Sequence, residues 1–354
     1  MSDRVALVVG ASGIVGQNLA SLLVEQGWQV LGLARNPLPQ PGVMPIPADL
    51  QQFDSLKEAL AGQKPTHVFL STWLRQPTEV ENIRVNGGMV RNLLEAVAPA
   101  GSVEHVALVT GLKHYLGPFE NYGKGTLPQT PFREEQGRLP VENFYYAQED
   151  EVFAAAQRDG FTWSVHRPHT IIGYALGNAM NMGVTLAVYA SLCKEAGTPM
   201  IFPGSSAQWH GLSDMTDARI LAKHLLWAAT TDAAKNQDFN IVNGDVFRWS
   251  WMWERLASFF GVEAAPFTGQ GIPLEEQLAN SAPRWKAIAE KYGLQESDIT
   301  RLVSAWHTDA DLGRPIEVVA DMSKSRRLGF LDFQPTDDSF FDLFTRLRED
   351  HIIP

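Results

Sequence analysis

Through the first half of the chain, apolar residues fall in short, nearly unbroken runs separated by stretches of helical spacing. The runs are RVALVVG (4–10), WQVLGLAR (28–35), the weaker VMPIPAD (43–49), THVFLST (66–72), EHVALVT (104–110) and TWSVHRP (162–168). Strands apolar on both faces belong to a sheet covered on both faces, which is the habit of parallel sheets. Between them lie GQNLASLLVEQG, DSLKEALAG, NGGMVRNLLEAVAPAG and YAQEDEVFAAAQRDG. Several of these helix-like stretches close on Gly, which takes the left-handed turn at a helix end most readily. Strand and helix alternating in this way predict βαβ units, and so an α/β, Rossmann-type, doubly wound parallel sheet.

Past Pro168 the alternation weakens. A Met/Asn/Gly-rich stretch (173–185) leads into an apolar helix pattern at 184–196 and a short run, PMIFPG. A strand pattern, FNIVNG (239–244), precedes the Trp-rich helix pattern WSWMWERLASFFG, and residues 265–330 mix helical spacing with Pro and Gly. Residues 1–172 are therefore expected to form the Rossmann domain. Residues 173–354 are expected to form mainly a mixed α/β substrate-covering region, with 239–244 returning to the main sheet. Trp249, Trp251 and Trp253 read as core or interface and not as pocket wall.

Composition narrows the function classes. The formal net charge of −11 argues against a nucleic-acid-binding surface, where a basic face is expected. A single cysteine, Cys193, allows no intrachain disulfide and no thiolate zinc cage, and its apolar setting reads as core. His105, His114, His166 and His169 lack metal-ligand spacing, so no metal is expected. No apolar run reaches the roughly 18 residues of a spanning helix. The chain also enters its first strand without a leader pattern, so a cytoplasmic protein without a membrane partner is expected. A homodimer is compatible with the sequence.

Chemistry enters at Gly10-Ala11-Ser12-Gly13-Ile14-Val15-Gly16, between the first strand and the first helix. The first Gly permits a tight turn, the second lets backbone approach a pyrophosphate, and the third lets helix pack on strand. The anion then rests on helix N-terminal amides. This placement predicts a dinucleotide cofactor. An NAD-binding strand usually ends in Asp or Glu to hold the ribose hydroxyl. Here the second strand ends Ala34-Arg35-Asn36, and a guanidinium suits a 2′-phosphate, so NADPH/NADP+ is expected. Asp49-Leu50, after the third strand, is placed to meet the adenine, although Asp49 also reads as a helix N-cap.

The fifth strand ends in Thr110-Gly111-Leu112-Lys113-His114-Tyr115-Leu116-Gly117-Pro118-Phe119-Glu120. Residues at the carboxyl ends of such strands line the ligand crevice. Some thirty residues later Asn143-Phe144-Tyr145-Tyr146-Ala147-Gln148-Glu149-Asp150 enters a helix. A short-chain dehydrogenase carries Tyr-x-x-x-Lys at such a place, but position 149 is Glu. Either the pair is broken or a Lys arrives from elsewhere.

Those two motifs, with Thr162 to Pro168, Asn240, and Val242 to Phe247, resemble the progesterone 5β-reductase/iridoid synthase-like family, a divergent branch of the short-chain dehydrogenases. The likeness covers roughly residues 5–260 and, more loosely, the remainder. It implies NADPH-dependent reduction of a C=C bond conjugated to a carbonyl in a small α,β-unsaturated substrate. The family's catalytic Lys and Tyr match Lys113 and Tyr145, with Tyr146 left to packing. The helix N-terminus under Tyr145 is expected to add positive potential at the phenol. The family's cofactor contacts match Ser12, Gly13, Ile14, Arg35, Asn36, Asp49, Leu50, Thr72, Trp73, Ile171 and the Asn178-Ala179-Met180 stretch. Gly10 and Val15 of the loop and Tyr145 join that cofactor-facing set. His169 departs from the pattern, standing where Gly is common after Arg-Pro. Rival readings are a carbonyl reductase, a nucleotide-sugar epimerase-like enzyme and a non-enzymatic NADP sensor. The lack of a lysine four residues after Tyr145 speaks against the epimerase, and the Lys113–Tyr145 pair against the sensor.

Overall fold

In the computed structural model, residues 4–118, 128–177 and 180–354 are described. The first half runs β1 (Val5–Val9), α1 (Ile14–Glu25), β2 (Gln29–Ala34), β3 (Val43–Pro47), α2 (Phe53–Ala59), β4 (His67–Leu70), α3 (Glu79–Val97), β5 (His105–Val109), α4 (Lys113–Leu116), α5 (Phe144–Asp159) and β6 (Thr162–Pro168). The second half runs β7 (Ile171–Ile172), α6 (Met182–Ala196), α7 (Ser206–His210), β8 (Thr216–Asp217), α8 (Ala218–Thr230), β9 (Gln237–Ile241) and α9 (Trp249–Phe260). It closes with α10 (Leu274–Gln277), α11 (Ala282–Tyr292), α12 (Ala305–Leu312), α13 (Ser323–Arg327) and α14 (Thr336–Glu349).

The seven-stranded sheet has the order β3-β2-β1-β4-β5-β6-β9 and every pairing is parallel. Alternate residues of β1 explain both faces. Ala6 and Val8 pack with α1 and α8, whereas Leu7 and Val9 pack with α2, α3 and α5. The chain therefore needs apolar residues at consecutive strand positions, as its pattern predicts. β3 is the weaker run because it is the edge strand. Its exposed Pro45 and Pro47 lack the N–H that a further neighbour would need.

Three elements depart from the sequence pattern. The third helix-like stretch begins at Glu79, not Asn86, because the Thr78 hydroxyl accepts from the Glu81 N–H and starts two polar turns. β9 does rejoin the main sheet but stops at Ile241. Beyond it, Asn243 turns away so that its Oδ1 accepts from the Asp217 N–H at 2.6 Å. PMIFPG contributes one isolated bridge, Met200 to Ala264, and no strand.

A separate core forms around α6, α9 and α14, where Trp249, Trp253, Phe340 and Phe344 are fully buried and Cys193 is nearly so. Trp251 lies on the outer face of α9, 46% exposed. None of the described helices is long and apolar enough to cross a membrane.

Candidate active site

Register fixes where the site forms. Val9 lies beside Leu33 and Leu70, and Leu70 lies beside Leu108, so β1, β2, β4 and β5 end level with one another. The order reverses between β1 and β4, and the crevice outside such a switch point is where doubly wound sheets bind ligands. A cleft of about 670 Å³ opens there. Its lining includes Gly10, Ser12, Gly13, Ile14, Val15, Arg35, Asn36, Asp49, Leu50, Thr72, Trp73, Lys113, Tyr145, Ile171 and Met180. The expected site residues within the described parts of the chain thus meet in one place. Asn178 and Ala179, and Phe119 and Glu120 of the β5 motif, lie outside the described residues.

At one end, Gly10 takes φ +85°, a backbone state costly for other residues, and a Cβ on Gly16 would fall 2.2 Å from the Gly10 carbonyl oxygen. Gly16 must therefore stay Gly for α1 to rest on the loop. Gly13 caps α1 without any side-chain acceptor, which leaves the first amides of the helix directed at the cleft. The Ser12 hydroxyl donates to the Asn36 carbonyl at 3.2 Å and ties the loop to the end of β2. These features fit a pyrophosphate on the loop and an adenosine beyond β2. Arg35 is exposed at that edge, with no carboxylate on the β2 end itself. Asp49 is not the cap of α2, a place taken by Gln52. Its Oδ1 instead accepts from the Gln51 N–H at 2.9 Å.

Lys113 and Tyr145 converge at the centre. Lys113 opens α4 directly after β5, and its ammonium lies 4.9 Å from the ring centroids of both Trp73 and Phe144 and 6.0 Å from that of Tyr145. Such ring faces attract a cation. Tyr145 is in the first turn of α5 with its hydroxyl over Gly111, where an added Cβ would come within 3.2 Å of the phenolic oxygen. Asn143 joins the two motifs. Its Oδ1 accepts from the Tyr145 N–H at 3.0 Å, and its Nδ2 donates to the Lys113 carbonyl at 2.8 Å.

Tyr146 faces the other way. Its hydroxyl donates to the His114 carbonyl at 2.6 Å and accepts from the Leu139 N–H at 3.0 Å. Glu149 is turned away as well, buried against Arg138 at 2.8 Å, with His114 and Arg167 each at 3.8 Å. Burial pushes the Glu149 carboxyl up, but His114, Arg167 and Arg138 more than offset this and hold it below its ordinary range. One electrostatic expectation needs correction. The N-terminus of α5 does not present its full positive potential to Tyr145, because the Glu79 carboxylate accepts from the Phe144 N–H at 2.7 Å.

Of the last wall, the sequence pointed to His169 alone. The wall consists of His169, Thr170, Arg301, His307, Asp311 and Arg314. His307 and Asp311 are four apart and share a face of α12, a spacing that could have signalled a buried polar stripe. Asp311 accepts from the Thr170 hydroxyl and from Arg314, and it lies 3.8 Å from His307 Nε2. Arg314 also donates to His169 Nε2 at 2.7 Å, so the opposite nitrogen, Nδ1, carries the proton that His169 gives to Asp214 at 2.8 Å. His169, the departure noted in the sequence, thus braces Arg314. Burial raises the Asp311 carboxyl, yet Arg314, His307 and Thr170 together leave it below its usual value.

Residues 52–354 match the PRISE-like Rossmann-fold domain family. Over 99% of its length the chain is 38% identical to the (S)-8-oxocitronellyl enol synthase CYC2 of Camptotheca acuminata, covering 94% of that protein. It is 37% identical, with the same coverage, to the 3-oxo-Delta(4,5)-steroid 5-beta-reductase of Arabidopsis thaliana. Among solved structures, a putative epimerase from Burkholderia cenocepacia superposes with TM-score 0.68 at 17% identity, over 98% of this chain and 99% of that one. The NAD complex of WbmG from Bordetella bronchiseptica gives 0.66 at 15% identity, over 99% and 96%.

Proposed function

Because the chain belongs to the PRISE-like Rossmann-fold family, we propose that it reduces the C=C bond of α,β-unsaturated carbonyl compounds with NADPH. It is an enzyme, an oxidoreductase of the short-chain dehydrogenase/reductase superfamily with a nicotinamide cofactor. The observation that carries the finer reading is the meeting of Lys113 and Tyr145 on the cleft wall while Glu149 is locked outside it.

The Gly-rich loop (10–14) and the bare N-terminus of α1 would hold the pyrophosphate, and Arg35 with Ser12 and Asn36 would hold the ribose phosphate. Thr72, Trp73 and Ile171 shape the inner end of the site. When bound, the reduced nicotinamide would supply hydride; hydride added at the substrate's β-carbon leaves charge on its carbonyl oxygen as an enolate. The Tyr145 phenol donates to that oxygen as the charge grows. The Lys113 ammonium sets positive charge beside the phenol, which strengthens its donation to an oxygen that is gaining negative charge. Trp73 and Phe144 hold that ammonium in place. The α-carbon takes its proton from water.

The test uses deuterated NADPH with a panel of enones and enals. The expected product is the saturated carbonyl with deuterium on the β-carbon. Deuterium on the carbinol carbon of an allylic alcohol would overturn the reading.

A further inference from the structure

One cleft nitrogen is not used by this mechanism. His307 Nδ1 is buried and makes no hydrogen bond to any described residue, although the residue lines the cleft. Its ring is held from the other side. Nε2 faces the Asp311 carboxylate, Asp311 is engaged by Thr170 and Arg314, and Arg314 is braced by His169 on Asp214. A proton on Nε2 faces that carboxylate favourably, whereas a lone pair there would be repelled. Nδ1 therefore keeps its lone pair and acts as an acceptor. Burial above all holds the imidazole below its ordinary value; Asp311 pulls the other way, while Arg314, Lys113 and Arg75 add to the lowering. Nδ1 thus remains an acceptor across the neutral range.

Charge says what kind of group fits. Asp311 and Arg314 neutralise each other in the same wall, Arg301 is held by Glu296 at 3.0 Å, and a carboxylate has no proton to give Nδ1. A buried acceptor left without a donor is costly. We propose that His307 is a specificity-determining residue that accepts a hydrogen bond from a hydroxyl group on the substrate. The preferred substrates of this enzyme are then hydroxylated enones and enals. This inference rests on the enone-reductase reading of the same site.

The experiment compares a straight-chain enal with a series of the same enal carrying one hydroxyl at successive carbons beyond the double bond. Wild-type enzyme is expected to favour at least one hydroxylated member by about tenfold or more in kcat/KM. His307→Phe should bring that ratio close to one. His307→Asn places an amide oxygen about where Nδ1 stands and should retain the ratio, which separates recognition from damage to the fold. Equal use of every member by the wild type, or a preference that survives in His307→Phe, overturns the proposal. So does a comparable loss of NADPH affinity in the substrate-free His307→Phe protein, since the nitrogen would then serve the cofactor. Each of those results leaves enone reduction standing. Reduction of no member at all would instead overturn the enone-reductase reading, and this inference with it.

Discussion

Two adjacent tyrosines show how much a single residue's direction decides. Tyr145 lies over Gly111 in the cleft, whereas the Tyr146 hydroxyl is spent on His114 and Leu139. Tyr145→Phe should lower turnover of an enone roughly a hundred- to a thousandfold, the usual cost of one lost oxyanion donor, while NADPH affinity stays near wild type. Tyr146→Phe should act on stability, by about 1–3 kcal/mol, because two backbone groups lose their partner. Steady-state kinetics beside urea melts separate the two outcomes, and equal kinetic losses would refute the assignment. At the other end of the cleft, Arg35→Ala should erode a preference for NADPH over NADH at least about tenfold, as a charge-assisted contact is worth roughly 1.5–3 kcal/mol. An unmutated enzyme that uses NADH equally well would remove the basis for that role.

The elements explain what could be read in the chain beforehand. Gly10, Gly13 and Gly16 were legible because a βα turn against a pyrophosphate admits few other residues, and the five strands behind them followed from buried apolar runs. The polar start of α3 was not legible, since residues 79–84 carry only Val80 and Ile83 among charged and polar neighbours, and their helix depends on Thr78 and on contacts with α5. Nor was the α12 wall, whose partners His169 and Asp214 are distant in sequence and meet only through folding. Asn143, read in the sequence only as the first residue of a motif, caps α5 and ties it to α4. Asn143→Ala should cost about 1 kcal/mol as a lost cap. It should also lower kcat more than it raises KM for NADPH, because Lys113 and Tyr145 lose their common anchor. Asn143→Asp, which keeps the cap but cannot donate to Lys113, should show the kinetic loss with little of the stability loss. A kcat left unchanged in both variants would reduce Asn143 to a cap alone.

Across the whole molecule, buried histidines run from β4 through β5 and β6 to α8. His105 Nε2 meets the Ser164 hydroxyl at 2.9 Å, that hydroxyl meets His166 Nε2 at 2.8 Å, and His166 Nδ1 meets His224 Nδ1 at 2.8 Å. Burial, more than any neighbour, lowers His67 to about 4 and both His105 and His224 to about 3, and it takes His166 well down too. These groups stay uncharged when folded but bind protons once unfolded below about pH 6.5, so stability present above that value falls as pH drops toward 4. Urea melts between pH 7 and 5 should show a loss approaching about 1.4 kcal/mol per pH unit for each histidine. A flat profile over that interval would contradict the burial of the chain. The ion cluster around Glu149 also restricts what can stand at that position. Installing a lysine there, the apparent route back to the commoner short-chain arrangement, would set a third cation beside Arg138 and Arg167 in the almost fully buried place of the carboxylate that holds them. A lysine at position 149 should therefore destabilise this fold unless Arg138 or Arg167 is replaced with it.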